Sequence, residues 1–280
     1  MQNHSAPSLG THLFLRPDSP CVKPDYWWVY QGDPAYFEFL LPCLLDLVHQ
    51  AMLKLAPVTV ACGGIAEGGV AFNRRFIMRD GWVQSQPVGD DLCQVLCPEG
   101  PADPEVGVAG FRDWEGRLVA AVLHHTGHPV SLFGTNTVTA SWPGAWVREF
   151  RELVDHRCIV MVVNGCCGNI NVFNTIEPDE PRDDATIGRR LSRAGAKVLG
   201  KLNFEASTVV DFRARRLELS FGSISAQIGT EGMARARALL KREPEARWAT
   251  GSRTALDIEW LFAAAILDLD RRLQPGSTYS

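Results

Sequence analysis

LVAAVLHHTGHPVSLFGTN, residues 118–136, opens on an unbroken apolar run and ends in His124, His125 and His128, with Gly127 and Pro129 between and after them. An apolar run of this length, bounded by turn residues, predicts a strand buried on both faces. Gly127 and Pro129 force the chain to turn directly after it. Catalytic side chains collect at strand ends, where a rigid sheet presents them to a cleft. Neutral imidazole is the commonest metal ligand, and a strand end fixes its direction. Polar residues closing a buried strand make the same pattern. Three of the chain's seven histidines within five residues weigh toward a site.

Outward from this stretch, Val106–Phe111 predicts a preceding strand, joined to it by a turn at Asp113–Gly116. Downstream, Pro143–Val154 predicts a helix with Trp146, Phe150 and Leu153 facing inward, followed by an apolar strand at Cys158–Val163. A strand, helix, strand succession implies a mixed α/β fold, with a partly parallel sheet flanked by helices. Upstream, Asp33-Pro34 opens a helix running to about Leu55, and Val58–Cys62 reads as a short strand closed by Gly63-Gly64. Beyond the centre, a helix is expected at Asp183–Leu202 and alternating strands at Thr208–Arg213 and Leu217–Phe221. Further helices are expected at Glu231–Leu240 and Thr254–Leu273. No internal repeat, low-complexity tract or interdomain linker interrupts the chain.

Composition narrows the function classes. The 28 Lys and Arg against 32 Asp and Glu leave a net charge of −4, without the basic surface by which nucleic-acid binders neutralise phosphate. With 46% apolar and 21% charged residues over 280 positions, the chain has globular composition and length enough for a sizeable core. No uninterrupted apolar run reaches the roughly 18 residues of a membrane span, so no transmembrane segment is expected. MQNHSAPSLG at the start has neither the basic nor the apolar region of a signal peptide. The eight cysteines lack zinc-finger spacing, and Cys43 and Cys158 sit in apolar runs, so a disulfide framework is not expected.

Two further segments carry candidate chemistry. Asn164-Gly-Cys-Cys-Gly-Asn-Ile-Asn171 follows the predicted buried strand. Its glycines and asparagines permit tight turns, and backbone N–H groups there suit an oxyanion. It is not a nucleotide loop. Cys166 or Cys167 is a nucleophile candidate, although adjacent small cysteines pack more often than they react. In Gly68–Arg75, Arg74 suits an anionic or polar substrate group, while paired arginines are also common on a solvated face.

Taken in order, these segments resemble the neutral/alkaline non-lysosomal ceramidase family. The resemblance rests on Asn73-Arg74, Asp103–Val106, His128-Pro129, Ala140-Ser-Trp-Pro-Gly144 and Gly168-Asn-Ile-Asn171. His4-Ser-Ala-Pro7 looks like the tail of the family's N-terminal histidine motif, and the match runs over roughly residues 1–200. It implies residues 1–280 as one partial ceramidase-like catalytic domain, without the family's C-terminal immunoglobulin-like domain. It also implies a zinc-dependent hydrolase cleaving the N-acyl amide of a sphingolipid-like, small lipid-like substrate.

By the same resemblance His128 is a zinc ligand, His4 lies beside the metal, and Arg74 is the active-site arginine. Asn171 lies next to the scissile bond, with Gly168 and Asn169 against the substrate. The departures are specific. Gln2 stands where the family has its first histidine ligand, Asn169 replaces an acidic residue, and Ser141 replaces an aspartate. The family's glutamate and tyrosine ligands are expected beyond Ser280. The alternative is a catalytically incomplete or metal-free member that acts as a binding module.

Overall fold

The structure, a computed structural model, describes residues 34–130, 137–177, 183–206, 211–220, 222–244, 247–249, 253–255, 258–273 and 278–279. Its elements begin with helix α1 (Pro34–Leu53). Strands β1 (Thr59–Ala66), β2 (Phe72–Asn73), β3 (Arg75–Met78), β4 (Val83–Ser85), β5 (Val95–Pro98), β6 (Glu105–Arg112) and β7 (Leu118–His125) follow. Then come helix α2 (Ser141–Val154), β8 (Ile159–Asn164), β9 (Ile170–Asn171), α3 (Asp184–Leu199), α4 (Ile224–Leu239) and α5 (Ile258–Arg272). The described residues fall into two compact units, one within 54–210 and the other made of 34–53 with those from 211 onward.

The first unit is built on a four-stranded sheet in the order β1-β6-β7-β8. Its first three strands are antiparallel to their neighbours, and β8 lies parallel to β7 because α2 carries the chain back across the sheet. The mixed, partly parallel α/β fold is therefore present. Asp113 makes the β6–β7 turn: its Oδ1 accepts hydrogen bonds from the N–H groups of Glu115 and Arg117.

Strand β1 does not close at Gly63-Gly64 as expected but continues through both to Ala66. A Cβ on Gly63 would lie 2.8 Å from Leu202 Cδ2, so glycine here is a matter of close approach rather than of a turn.

Helices α2 and α3 cover one sheet face. Trp142, Ala145, Trp146 and Phe150 recur on one side of α2 and are buried. They meet Ile187, Gly188, Leu191, Ala194 and Val198 of α3 over Val106, Val108, Ala121 and Leu123 of the sheet. Two inward assignments are corrected. Leu153 is 54% exposed, on a groove of about 410 Å³ that it shares with Arg112, Asp155 and Leu199. Strand β7 buries only alternate residues, Ala121, Leu123 and His125. The helices take that face; on the other, Ile159, Met161 and Val163 of neighbouring β8 are 69%, 58% and 45% exposed.

Asp183 caps α3 by accepting from the Thr186 N–H at 2.8 Å, and that bond holds its carboxyl below the usual aspartate range. A lowered folded pKa stabilises above the ordinary value near 4, and the contribution is lost as pH falls through the folded value. Asp183→Ala is expected to cost about 0.5–2 kcal/mol at neutral pH. The difference from the parent should shrink as pH falls below the ordinary aspartate value near 4 and through the lowered folded value. Urea midpoints at neutral pH and in that acid range check this, and a pH-independent difference would refute it.

In the second unit, α1 follows the expected bounds but has no buried residue; Phe37 is 46% exposed. Among the described residues α1 is one helix long and apolar enough to cross a membrane by length and composition, with mean hydropathy 1.2. Glu38, Asp46, His49 and Gln50 interrupt its apolar run. Helices α4 and α5 pack together through Met233, Ala236, Trp260 and Ala264 among others. The strand expected at Thr208–Arg213 lies partly outside the described residues, and 211–218 form no regular element. Among the described residues of the strand expected at Leu217–Phe221, Leu219–Ser220 form a strand paired with Thr278–Tyr279, and Phe221 lies outside the described residues. Arg253–Ala255, which overlaps the start of the helix expected at Thr254–Leu273, is a strand paired with Arg247–Ala249, and α5 runs over Ile258–Arg272.

Candidate active site

Pairing of β2 with β9 sets Phe72 opposite Asn171 and Asn73 opposite Ile170, which brings two distant segments together. Buried Asn73 supports the junction, donating through Nδ2 to Gly100 O at 3.0 Å and accepting from the Arg75 N–H at 2.9 Å. Arg74 follows directly. Its N–H donates to Asn169 O at 2.8 Å, and its guanidinium donates to Gly168 O at 2.7 Å.

His128 reaches the same turn from the end of β7. Its N–H donates to Ile170 O, and its Nδ1 lies 3.0 Å from Cys167 O. A carbonyl only accepts, so Nδ1 carries the proton, and in the neutral ring the lone pair is on Nε2. Burial pushes the His128 pKa below its ordinary value and the Arg74 cation adds to this, while the Cys167 bond opposes both. The neutral imidazole is the form that serves as a ligand or base.

Asn171 is fully buried. Its Nδ2 donates to Gln86 Oε1 at 3.1 Å. The structure thus assembles His128, Arg74, Gly168, Asn169 and Asn171 around one turn. His4 lies outside the described residues. The turn meets His128 and Arg74 through the carbonyls of 167–170.

The other two histidines diverge from His128. His125 is fully buried, with Nδ1 3.1 Å from Glu105 O and Nε2 3.0 Å from Val70 O, and it stands edge-on to Trp142 and Trp146. It is a strut between β6 and the segment leading into β2. His124 lines a groove of about 430 Å³ with Asp103, Thr126, Cys166 and Asn169. The seven described cysteines are free thiols. Burial raises the Cys167 pKa, the direction opposite to that of an activated nucleophile.

Among the described residues no three His, Cys, Asp or Glu side chains converge as a metal site would need. Zinc takes three or four protein ligands. His128 has the tautomer of a ligand, but the described residues do not by themselves make a zinc centre.

Gln86 escaped the sequence reading. The proline that follows it favours extended backbone, so nothing local in the sequence signals the left-handed conformation it adopts.

No family model and no curated protein matches the sequence. Among solved structures, the chain is similar to the neutral ceramidase from Pseudomonas aeruginosa, with 15% identity and a TM-score of 0.45, over 59% of this chain and 26% of that one. A ceramidase complexed with C2 gives 16% identity and a TM-score of 0.41, over 55% and 24%. The chain spans about a quarter of the length of these structures.

Proposed function

We propose that this chain is part of a ceramidase-type hydrolase whose centre includes His128, Arg74 and Asn171. In this reading it cleaves an N-acyl amide of a sphingolipid-like substrate. The observation that carries the reading is convergence: Arg74, His128 and the 167–171 turn, far apart in sequence, meet through direct hydrogen bonds. A cationic guanidinium beside a neutral imidazole suits an amide carbonyl that gains negative charge as water attacks. Gly168 and Asn169 line the substrate side. Zinc is the proposed cofactor, with His128 as one ligand and the others supplied from outside the described residues.

Metal analysis of the dialysed chain, paired with hydrolysis of a short-chain N-acyl-sphingosine, tests this. His128→Ala is expected to abolish whatever zinc the parent holds, and zinc retained in the variant would refute the ligand assignment. A parent chain that binds no zinc and hydrolyses no amide would sink the hydrolase reading in favour of a metal-free binding module.

A further inference from the structure

Gln86 follows β4 at the edge of the site and has φ +55°, a conformation uncommon for a residue other than glycine. Such backbone persists where its surroundings hold it, and two hydrogen bonds do so here. The Gln86 N–H donates to Arg74 O at 2.7 Å, and its side-chain oxygen accepts from Asn171 Nδ2 at 3.1 Å. The other end of the Asn171 amide, Oδ1, is buried and has no hydrogen-bond partner among the described residues. Gln86 therefore supplies the one side-chain hydrogen bond that, among the described residues, fixes which way the Asn171 amide points.

We propose that Gln86 is a positioning residue, tying the main chain of Arg74 to the side chain of Asn171 so that both keep one geometry. The proposal rests on the hydrolase reading for its catalytic consequence, and on geometry alone for the bond itself. Glutamine and glutamate both present an acceptor oxygen at this reach, and alanine presents none.

The test combines kinetics on a short-chain N-acyl-sphingosine in detergent micelles with nuclear magnetic resonance of the Asn171 side-chain amide. Gln86→Ala is expected to lower kcat by about tenfold, since small misplacements at a reacting centre cost up to about 100-fold. KM should move little. Tm should fall by about a few degrees because the buried Asn171 amide loses its hydrogen bond, and Gln86→Glu should restore most of both losses. The Asn171 amide protons should shift in Gln86→Ala and exchange with solvent about tenfold faster. An active parent with unchanged kcat in Gln86→Ala, or a Glu variant as impaired as the Ala variant, would overturn the proposal. Should the parent hydrolyse no amide, the hydrolase reading fails separately. The Asn171 signals then decide the positioning bond: the expected shift supports it, and identical signals in parent and Gln86→Ala overturn it.

Discussion

Trp146→Ala is expected to lower the unfolding free energy by about 3–5 kcal/mol, the range for deleting a large buried aromatic side chain. Trp146 is fully buried between α3 and the sheet, close to Trp142 at 6.0 Å between ring centroids and edge-on to His125 at 6.4 Å. Its removal leaves a void that the neighbours fill only in part, because α3 is pinned to α2 by Ser192 Oγ donating to Trp146 O at 3.2 Å. The indole N–H is buried without a hydrogen-bond partner among the described residues, so Trp146→Phe keeps most of the volume and removes that donor. That variant should recover most of the loss. Urea unfolding followed by circular dichroism measures both. An alanine variant within 1 kcal/mol of the parent, on the order of a surface substitution, would show that α2 does not pack as described.

Gly188→Ala is the second large effect, about 1–3 kcal/mol, and it works through excess volume rather than a void. A Cβ on Gly188 would lie 2.8 Å from the Ala145 carbonyl carbon and 2.9 Å from the Trp146 nitrogen. These are backbone atoms of the facing helix, which a rotamer change cannot move aside. The helices must separate, and the tryptophan layer loosens with them. An unchanged or raised midpoint in the same urea experiment would mean that α2 and α3 are further apart than the structure has them.

Much of the fold was legible because local patterns and tertiary contacts agree. The turn at Asp113–Gly116 makes its own hydrogen bonds, Asp183 caps its own helix, and Trp146 and Phe150 share one face at helical spacing. Where neighbours decide, the reading failed. Gly63 looks like a strand end, yet it is mid-strand because it pairs with Val108, and it is glycine because Leu202 crowds it. An apolar β7 looks buried on both faces, yet helices of this unit cover one. The candidate site divides the same way. His128, Arg74, Gly168, Asn169 and Asn171 were legible as residue types in a familiar order. His124 and His125 were indistinguishable from His128 until alternation along β7 sent them to a groove and to the core.

By itself the sequence determined α1, α2 and α3, the hairpin at the heart of the sheet and the residue types from which a site is assembled, whereas the helix expected at Glu231–Leu240 begins at Ile224. Short-range periodicity, capping and turn chemistry act within a few residues of one another. Only the tertiary structure decided that Gln86 stands between Arg74 and Asn171. It also decided that His128 faces the Cys167 carbonyl. Those contacts join positions 39 and 85 residues apart, and their geometry follows from strand pairing and helix packing, which no local pattern encodes.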